Sequence, residues 1–361
     1  METPKIIQDD QWLAPYGQAF YDWIRLSDEK ETALCNGHSL YDFASGHLYY
    51  GLHKENGKWF LREWAPNATQ LFLIGTFSNW QEEERFKLQP TGNGNWEIVL
   101  EGDQLKHYDL YALSVYWNGG QGKRIPAWTQ RVVQDMNTYI FNAQVWDPPV
   151  PYEWKNGIQS PLTEAPLIYE AHIGMSGEEE RVHTFDEFRM NILPRVKEAG
   201  YNVIQFMAIP EHPYYGSFGY HVSSFFAASS RFGTPEELKQ LIDEAHGMGI
   251  AVIMDLIHSH AVKNETEGLG KFDGTRYQFF HDGARGDHPA WDSYCFNYGK
   301  NEVLHFLFSN IKYWLEEYNF DGYRFDGVTS MLYHDHGLGK AFMGYGDYFS
   351  PNLDYEAVVY F

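Results

Sequence analysis

Gly322-Tyr323-Arg324-Phe325-Asp326-Gly327 reads as a short buried strand that delivers a guanidinium and a carboxylate to one point. Side chains two apart on a strand share a face, so Arg324 and Asp326 project together while Tyr323 and Phe325 pack behind them. A guanidinium beside an aspartate favours the charged carboxylate and predicts a lowered pKa, the state a carboxylate nucleophile needs at neutral pH. The pair reads equally as a structural salt bridge, and these six residues alone do not decide between the two.

Three other short apolar runs, Leu167–His172, Asn202–Met207 and Ile250–Leu256, have the character of strands buried on both faces. Helical stretches lie between them. The clearest begins at Thr234, where Thr-Pro-Glu-Glu offers an N-cap, proline at the first helical position and Glu237 to complete a capping box, and it ends near Gly247–Gly249. A second runs from about Val303 to Tyr318, with Leu304, Leu307, Phe308, Ile311, Trp314 and Leu315 on one face. Four strand-helix steps predict a parallel α/β sheet or barrel.

Upstream the rhythm differs. Short β-rich runs at Phe60–Trp64, Gln70–Phe77, Trp96–Leu100 and Tyr108–Trp117, separated by turn clusters such as Thr91–Asn95, predict a small β-sandwich. A proline-rich connector, Val145–Lys155, divides the two regimes. Ahead of the sandwich, apolar residues from Asp10 to Leu26 recur at helical spacing and predict a leading helix packed on the next domain. The expected organisation is a helical segment over 1–36, a β-sandwich over 37–147 and barrel elements over 155–361.

Composition narrows the partners. Lys and Arg total 27 against 49 Asp and Glu, and the net charge of −22 disfavours nucleic acid and other polyanions. Aromatic residues make up 17%, with 12 Trp and 26 Tyr; most must fill the core, but flat apolar faces also stack on sugar rings. Cys35 and Cys295 are too few and too far apart for a disulfide framework. The N-terminal METPKIIQDD lacks the basic and apolar regions of a signal peptide, and no apolar run is long enough to span a bilayer. A cytoplasmic protein without a membrane partner is expected.

The polar candidates fall at the carboxyl ends of strands or in the loops that follow, where a barrel keeps its chemistry. Asp255 closes the third strand, and His258 and His260 follow in Asp-Leu-Ile-His-Ser-His. Glu211 and His212 come just after the second strand, ahead of Tyr214–Tyr220. The His-x-His spacing also permits a zinc site of the metallohydrolase kind.

Taken together these residues resemble the α-amylase superfamily, and within it the 1,4-α-glucan branching enzymes. Asp255–His260 resembles the first short motif of the superfamily and Gly322–Asp326 the second. The context is similar as well: Tyr-Glu-Ala-His-Ile-Gly from Tyr169, Ile-Pro-Glu-His-Pro from Ile209, Ser-Phe-Gly-Tyr from Ser217, Ser-Arg-Phe-Gly-Thr-Pro from Ser230, and Arg-Phe-Asp-Gly-Val-Thr-Ser-Met-Leu-Tyr from Arg324. His221 departs from the glutamine expected after the Gly-Tyr pair. The upstream sandwich resembles the glucan-binding module of these enzymes, with Trp80, Trp96, Trp117 and Trp128 as candidate contacts.

The resemblance implies a (β/α)8 barrel of which residues 155–361 supply about the first four strands, since a complete one takes about 250 residues. Motifs carrying the glutamate general acid and a His-Asp pair have no match, so the N-terminal part of a longer enzyme is expected. It further implies retaining transfer of an α-1,4-glucan chain to a 6-hydroxyl. Asp326 would be the nucleophile and Arg324 its orienting partner, with Asp255, His260 and Tyr220 binding the sugar and no cofactor or metal required. The partner would be an α-glucan such as glycogen, amylose or amylopectin. A debranching-type hydrolase and a non-catalytic glycogen-binding fragment are the alternatives.

Overall fold

The computed structural model describes residues 3–157 and 165–361. Residues 1–2, within the leader reading, and 158–164, at the expected start of the barrel, lie outside the described residues.

The sandwich has two antiparallel sheets. One pairs Gly51–Glu55, Lys58–Trp64, Asn95–Glu101 and Gln89–Gly92 in that spatial order. The other pairs Ala68–Gly75, Leu110–Trp117, Phe141–Gln144 and Val132–Gln134, with Gly120–Arg124 also on Leu110–Trp117. Alternation is plain in Lys58–Trp64, where Trp59, Leu61 and Glu63 are buried while Phe60 and Arg62 point outward. The hairpin between Gly92 and Asn95 turns on Asn93 (φ 53°) and Gly94 (φ 78°). Two consecutive left-handed residues give the turn that matches strand twist, which is why Asn-Gly stands there.

Glu63 is a buried carboxyl with no cation paired to it among the described residues. Its oxygens accept the N–H groups of Trp64 (2.9 Å) and Ala127 (2.7 Å), yet burial pushes its pKa up to about 8. The 125–129 segment that it holds inserts Trp128 toward the barrel, stacked on Tyr50 at 4.9 Å and on Phe226 at 4.9 Å. Asn67 Nδ2 donating to Asp273 (2.9 Å) and Arg124 Nη2 donating to the Lys271 carbonyl (2.9 Å) complete the joint.

Downstream, Ile168–Ala171, Val203–Phe206, Ala251–Leu256 and Gly322–Phe325 form a parallel sheet in sequence order. One face, with Ile204, Phe206, Val252, Met254 and Leu256, is buried in the main core shared with helices Phe185–Asn191, Pro235–Gly247 and Asn301–Glu317. Thr234 caps the second of these with Pro235 at its first turn and Glu237 closing the box. On the other face, Val203, Ala251 and Ile253 make a small separate apolar layer. Further along the same face the register brings Glu170 beside Gln205 and Asp255 beside Arg324. The interior surface therefore changes from apolar to polar toward the carboxyl ends of the strands.

The leading helix differs from expectation. Gln11–Tyr16 is 3-10 and Gly17–Cys35 is α-helical, ending where Asn36 turns left-handed (φ 44°). It packs chiefly on the barrel half rather than on the sandwich that follows it in sequence. Phe349 is held between Tyr16 (4.3 Å) and Trp23 (5.2 Å), and Lys30 donates to Asn301 Oδ1 at 2.7 Å. Its aromatic face finds its match in Phe349, a partner no local pattern reveals. Among the described residues no helix is long and apolar enough to cross a membrane.

Candidate active site

The third and fourth barrel strands converge on Arg324. Its Nη1 donates to Asp255 Oδ2 at 2.7 Å and lies 3.3 Å from Asp326 Oδ1. Asp255 is fully buried and accepts two further hydrogen bonds: Tyr220 Oη donates to Oδ2 at 2.6 Å and Gln205 Nε2 to Oδ1 at 2.8 Å. Asp326 is 23% exposed and Arg324 48% exposed, so both face open space. The Asp326 amide donates to the Leu256 carbonyl at 3.0 Å, continuing the parallel pairing one residue past the strand. Gly327 then turns left-handed (φ 70°), where a Cβ would come within 2.6 Å of Ser259 Oγ, so only glycine lets the two motif loops close up here.

Electrostatics correct one expectation. Burial raises the pKa of Asp326, and the Arg324 guanidinium opposes that rise without reversing it. Burial likewise raises Asp255 against the pull of Tyr220 and Arg324. The arginine thus keeps one buried and one partly buried carboxylate from drifting further toward neutrality.

The two histidines part company. His260 Nε2 meets the Tyr220 carbonyl at 2.8 Å and Nδ1 meets Ser259 Oγ at 2.9 Å, with its ring 4.9 Å from Trp291. His258 is wholly buried between Tyr360 Oη (2.5 Å) and Asn310 Oδ1 (2.9 Å), away from the carboxylates. Burial depresses both, His258 to about 4 and His260 to about 3, so both are neutral at pH 7. Among the described residues no group of three or more His, Cys, Asp or Glu side chains is arranged to hold a metal ion. Glu211 is equally structural: it accepts from Ser229, the Ser230 amide and Arg231 at 2.8–3.0 Å and is fully buried. His221 stands 6.1 Å ring to ring from His260.

Gln205 and Trp291 were missed from sequence. Gln205 had a signal, a lone amide inside the apolar run Val203–Phe206 that must find a buried partner. Trp291 had none. It stacks on His288 at 4.0 Å beside Gly327, in a loop whose course local sequence does not specify.

Two of the four sandwich tryptophans, Trp96 and Trp128, are core residues, in keeping with the large apolar fillers that a sandwich of this size needs. Trp96 is buried and donates to the Ala65 carbonyl at 3.0 Å, and Trp128 is the joint residue described above. Trp117 is half-buried under the barrel loop, so close that a Cβ on Gly274 would lie 2.1 Å from its ring. Trp80 remains on the outer face, half-buried with Phe72, Ile74 and Tyr116, and Lys123 Nζ sits 4.2 Å from its ring centre.

The family model for carbohydrate-binding module 48 (isoamylase N-terminal domain) matches residues 49–133, and that for the α-amylase catalytic domain matches 190–294. The chain is 48% identical to a 1,4-α-glucan-branching enzyme of Yarrowia lipolytica over 99% of its own length. Other relatives carrying the branching-enzyme name are those of Dictyostelium discoideum (43% identical) and Felis catus (42%), each over 99% of this chain. The chain spans about half the length of these relatives, 53%, 53% and 52% respectively. Two solved structures share the fold: pullulanase from Bacillus acidopullulyticus (TM-score 0.63, 21% identity, 80% of this chain and 39% of that one) and a putative α-amylase from Salmonella typhimurium (0.59, 24%, 77% and 43%). The catalytic-domain match contains Tyr220, Asp255 and His260 but stops short of Arg324 and Asp326, which the relatives' alignments cover.

Proposed function

We propose that this chain carries the nucleophile half of a 1,4-α-glucan branching enzyme. The observation that carries the reading is the arrangement of Asp255, Arg324 and Asp326 on one guanidinium at the carboxyl ends of two adjacent parallel strands. Asp326, partly open and oriented by Arg324, attacks the anomeric carbon of an α-1,4-linked glucose; the C–O bond to the leaving chain breaks and a covalent glycosyl-enzyme forms. Asp255 cannot serve as the proton donor, because Arg324, Tyr220 and Gln205 occupy its oxygens. The general acid is assigned to the remainder of a protein of branching-enzyme length. The general acid gives its proton to the departing chain, and the 6-hydroxyl of another glucan then displaces Asp326, passing its proton to the conjugate base of that acid as the α-1,6 bond forms. Tyr220 stacks under the reacting ring, and His260, neutral and with both ring nitrogens engaged by the Tyr220 carbonyl and Ser259 Oγ, positions Tyr220 from behind.

Trp80 with Lys123 is the remaining glucan contact on the sandwich, and glycogen or a starch polymer is the partner. The net charge of −22 supports a neutral polymer over nucleic acid, and two free buried thiols support a cytoplasmic site. Because the chain spans about half of its relatives, a purely glycogen-binding role is the second reading. Extended to branching-enzyme length, the protein should lower amylose–iodine absorbance with no matching rise in reducing ends. A stoichiometric rise in reducing ends would identify a hydrolase instead, and retention by glycogen without any turnover would leave the binding role.

A further inference from the structure

A cavity of about 430 Å³ opens where the proline-rich connector meets two barrel helices. Its size lies within the roughly 300–1,000 Å³ of small-ligand sites. None of the residues around it belongs to the Asp255–Arg324–Asp326 network.

The connector side offers Trp146, Tyr152 and Trp154, spaced by Pro148 and Pro151. Two of these aromatics are fixed. The Trp146 indole N–H donates to Glu236 Oε1 at 3.0 Å and Arg131 lies 5.0 Å over its ring, while Tyr152 Oη donates to the buried Asp243 at 2.7 Å. Trp154 meets the edge of Tyr152 at 5.3 Å and is half-buried, so it stands in the wall as a flat surface at the cavity's mouth. Prolines stiffen the backbone that carries it, which lowers the ordering cost of binding.

The charges define the ligand. Four carboxylates, Asp147, Glu236, Glu316 and Glu317, line the space beside Lys239 and the Gln130 amide. Three already have cations: Lys54 lies 2.5 Å from Asp147, Lys312 lies 3.9 Å from Glu316, and Lys239 pairs with Glu317. What they retain is lone-pair capacity rather than uncompensated charge, since a carboxylate has about four acceptor sites. Phosphates and other anions are repelled, and a cation gains little from carboxylates that are already paired. A neutral ligand with many hydroxyl donors and an apolar ring face fits aromatic, amide and carboxylate together.

We propose that this groove is a further α-glucan site, apart from the reactive carboxylates and from Trp80, one that grips a stretch of polymer without cutting it. The inference rests on the α-glucan reading above. Its consequence is avidity: a chain held here has its free portions at raised local concentration near the reactive carboxylates, with no new contact at that site.

The test uses the 361-residue chain labelled with 5-fluorotryptophan, with the Trp154 resonance assigned by its loss in Trp154→Phe. Titration with maltoheptaose should move the Trp154 resonance in the parent chain and equally in a Trp80→Ala variant, and Gln130→Ala should weaken that response several-fold. A Trp154 resonance unmoved by maltoheptaose, while glycogen still retards the chain in affinity electrophoresis, would overturn this site and leave the proposed function standing. No response in either measurement would remove both. A shift produced by a lysine-rich peptide and absent with maltoheptaose would overturn the glucan assignment in favour of a basic partner.

Discussion

Replacing Glu63 with Gln should remove a fall in stability between pH 4.5 and about 8. Below pH 4.5 the carboxyl is protonated whether the chain is folded or not. Above it the unfolded chain ionises while the buried folded carboxyl does not, until pH passes about 8. Stability is therefore lost progressively between those values, and a rise from 4.5 to about 8 at 1.36 kcal/mol for each pH unit amounts to about 5 kcal/mol. Glutamine does not titrate, but its oxygen accepts only one of the two N–H groups of Trp64 and Ala127, and its NH₂ faces the other. That mismatch costs about 1–3 kcal/mol. The variant should be the weaker protein at pH 4.5 and the stronger by about 2–4 kcal/mol at pH 8, with the curves crossing between about pH 5 and 7. Urea unfolding followed by tryptophan fluorescence at intervals of half a pH unit measures this. Parallel curves would refute the reasoning, because they would mean that the two amide donors keep Glu63 ionised throughout.

Asp326→Asn in a protein of branching-enzyme length should abolish chain transfer, read by iodine staining and reducing ends, while glucan affinity changes less than threefold. Trp128→Ala should cost about 3–5 kcal/mol in unfolding free energy, as loss of a large buried ring does, whereas Trp80→Ala should leave stability within about 1 kcal/mol and weaken glycogen retardation in a gel. Imidazole resonances of His258 and His260 should stay at their neutral positions from pH 8 to 5. Both are depressed by burial, to about 4 and 3, so the stability they contribute is complete above 6.5 and drains away as pH falls toward 4.

The two central barrel strands were legible because residues buried on both faces leave unbroken apolar runs, and Val203–Phe206 and Ala251–Leu256 are buried at every position. The outer strands Ile168–Ala171 and Gly322–Phe325, expected to be buried as well, are only partly so because each has a neighbour on one side alone. The facing of Arg324 and Asp326 followed from the two-residue period of a strand. The direction of the Asp326 shift did not, because the guanidinium is visible in the sequence whereas the desolvation that outweighs it belongs to the assembled site. Trp96 and Trp80 are the same residue type in similar local settings, yet one fills the core and the other lines an outer face. Only pairing between distant strands decides which. The partner of the leading helix was hidden for the same reason.

The Tyr345 hydroxyl donates to Asp10 across 335 residues of sequence, beside the ring of Phe349 that Tyr16 and Trp23 enclose. On a ribosome adding about 5–20 residues each second, the first helix waits roughly 20–70 s for the segment it docks against. Its 19 residues are near the limit at which a helix persists alone in water. For that interval Phe20 and Trp23 have no permanent neighbour, so nascent chains carry an aromatic face that a chaperone can hold. Phe349→Ala would prolong that state into the finished protein.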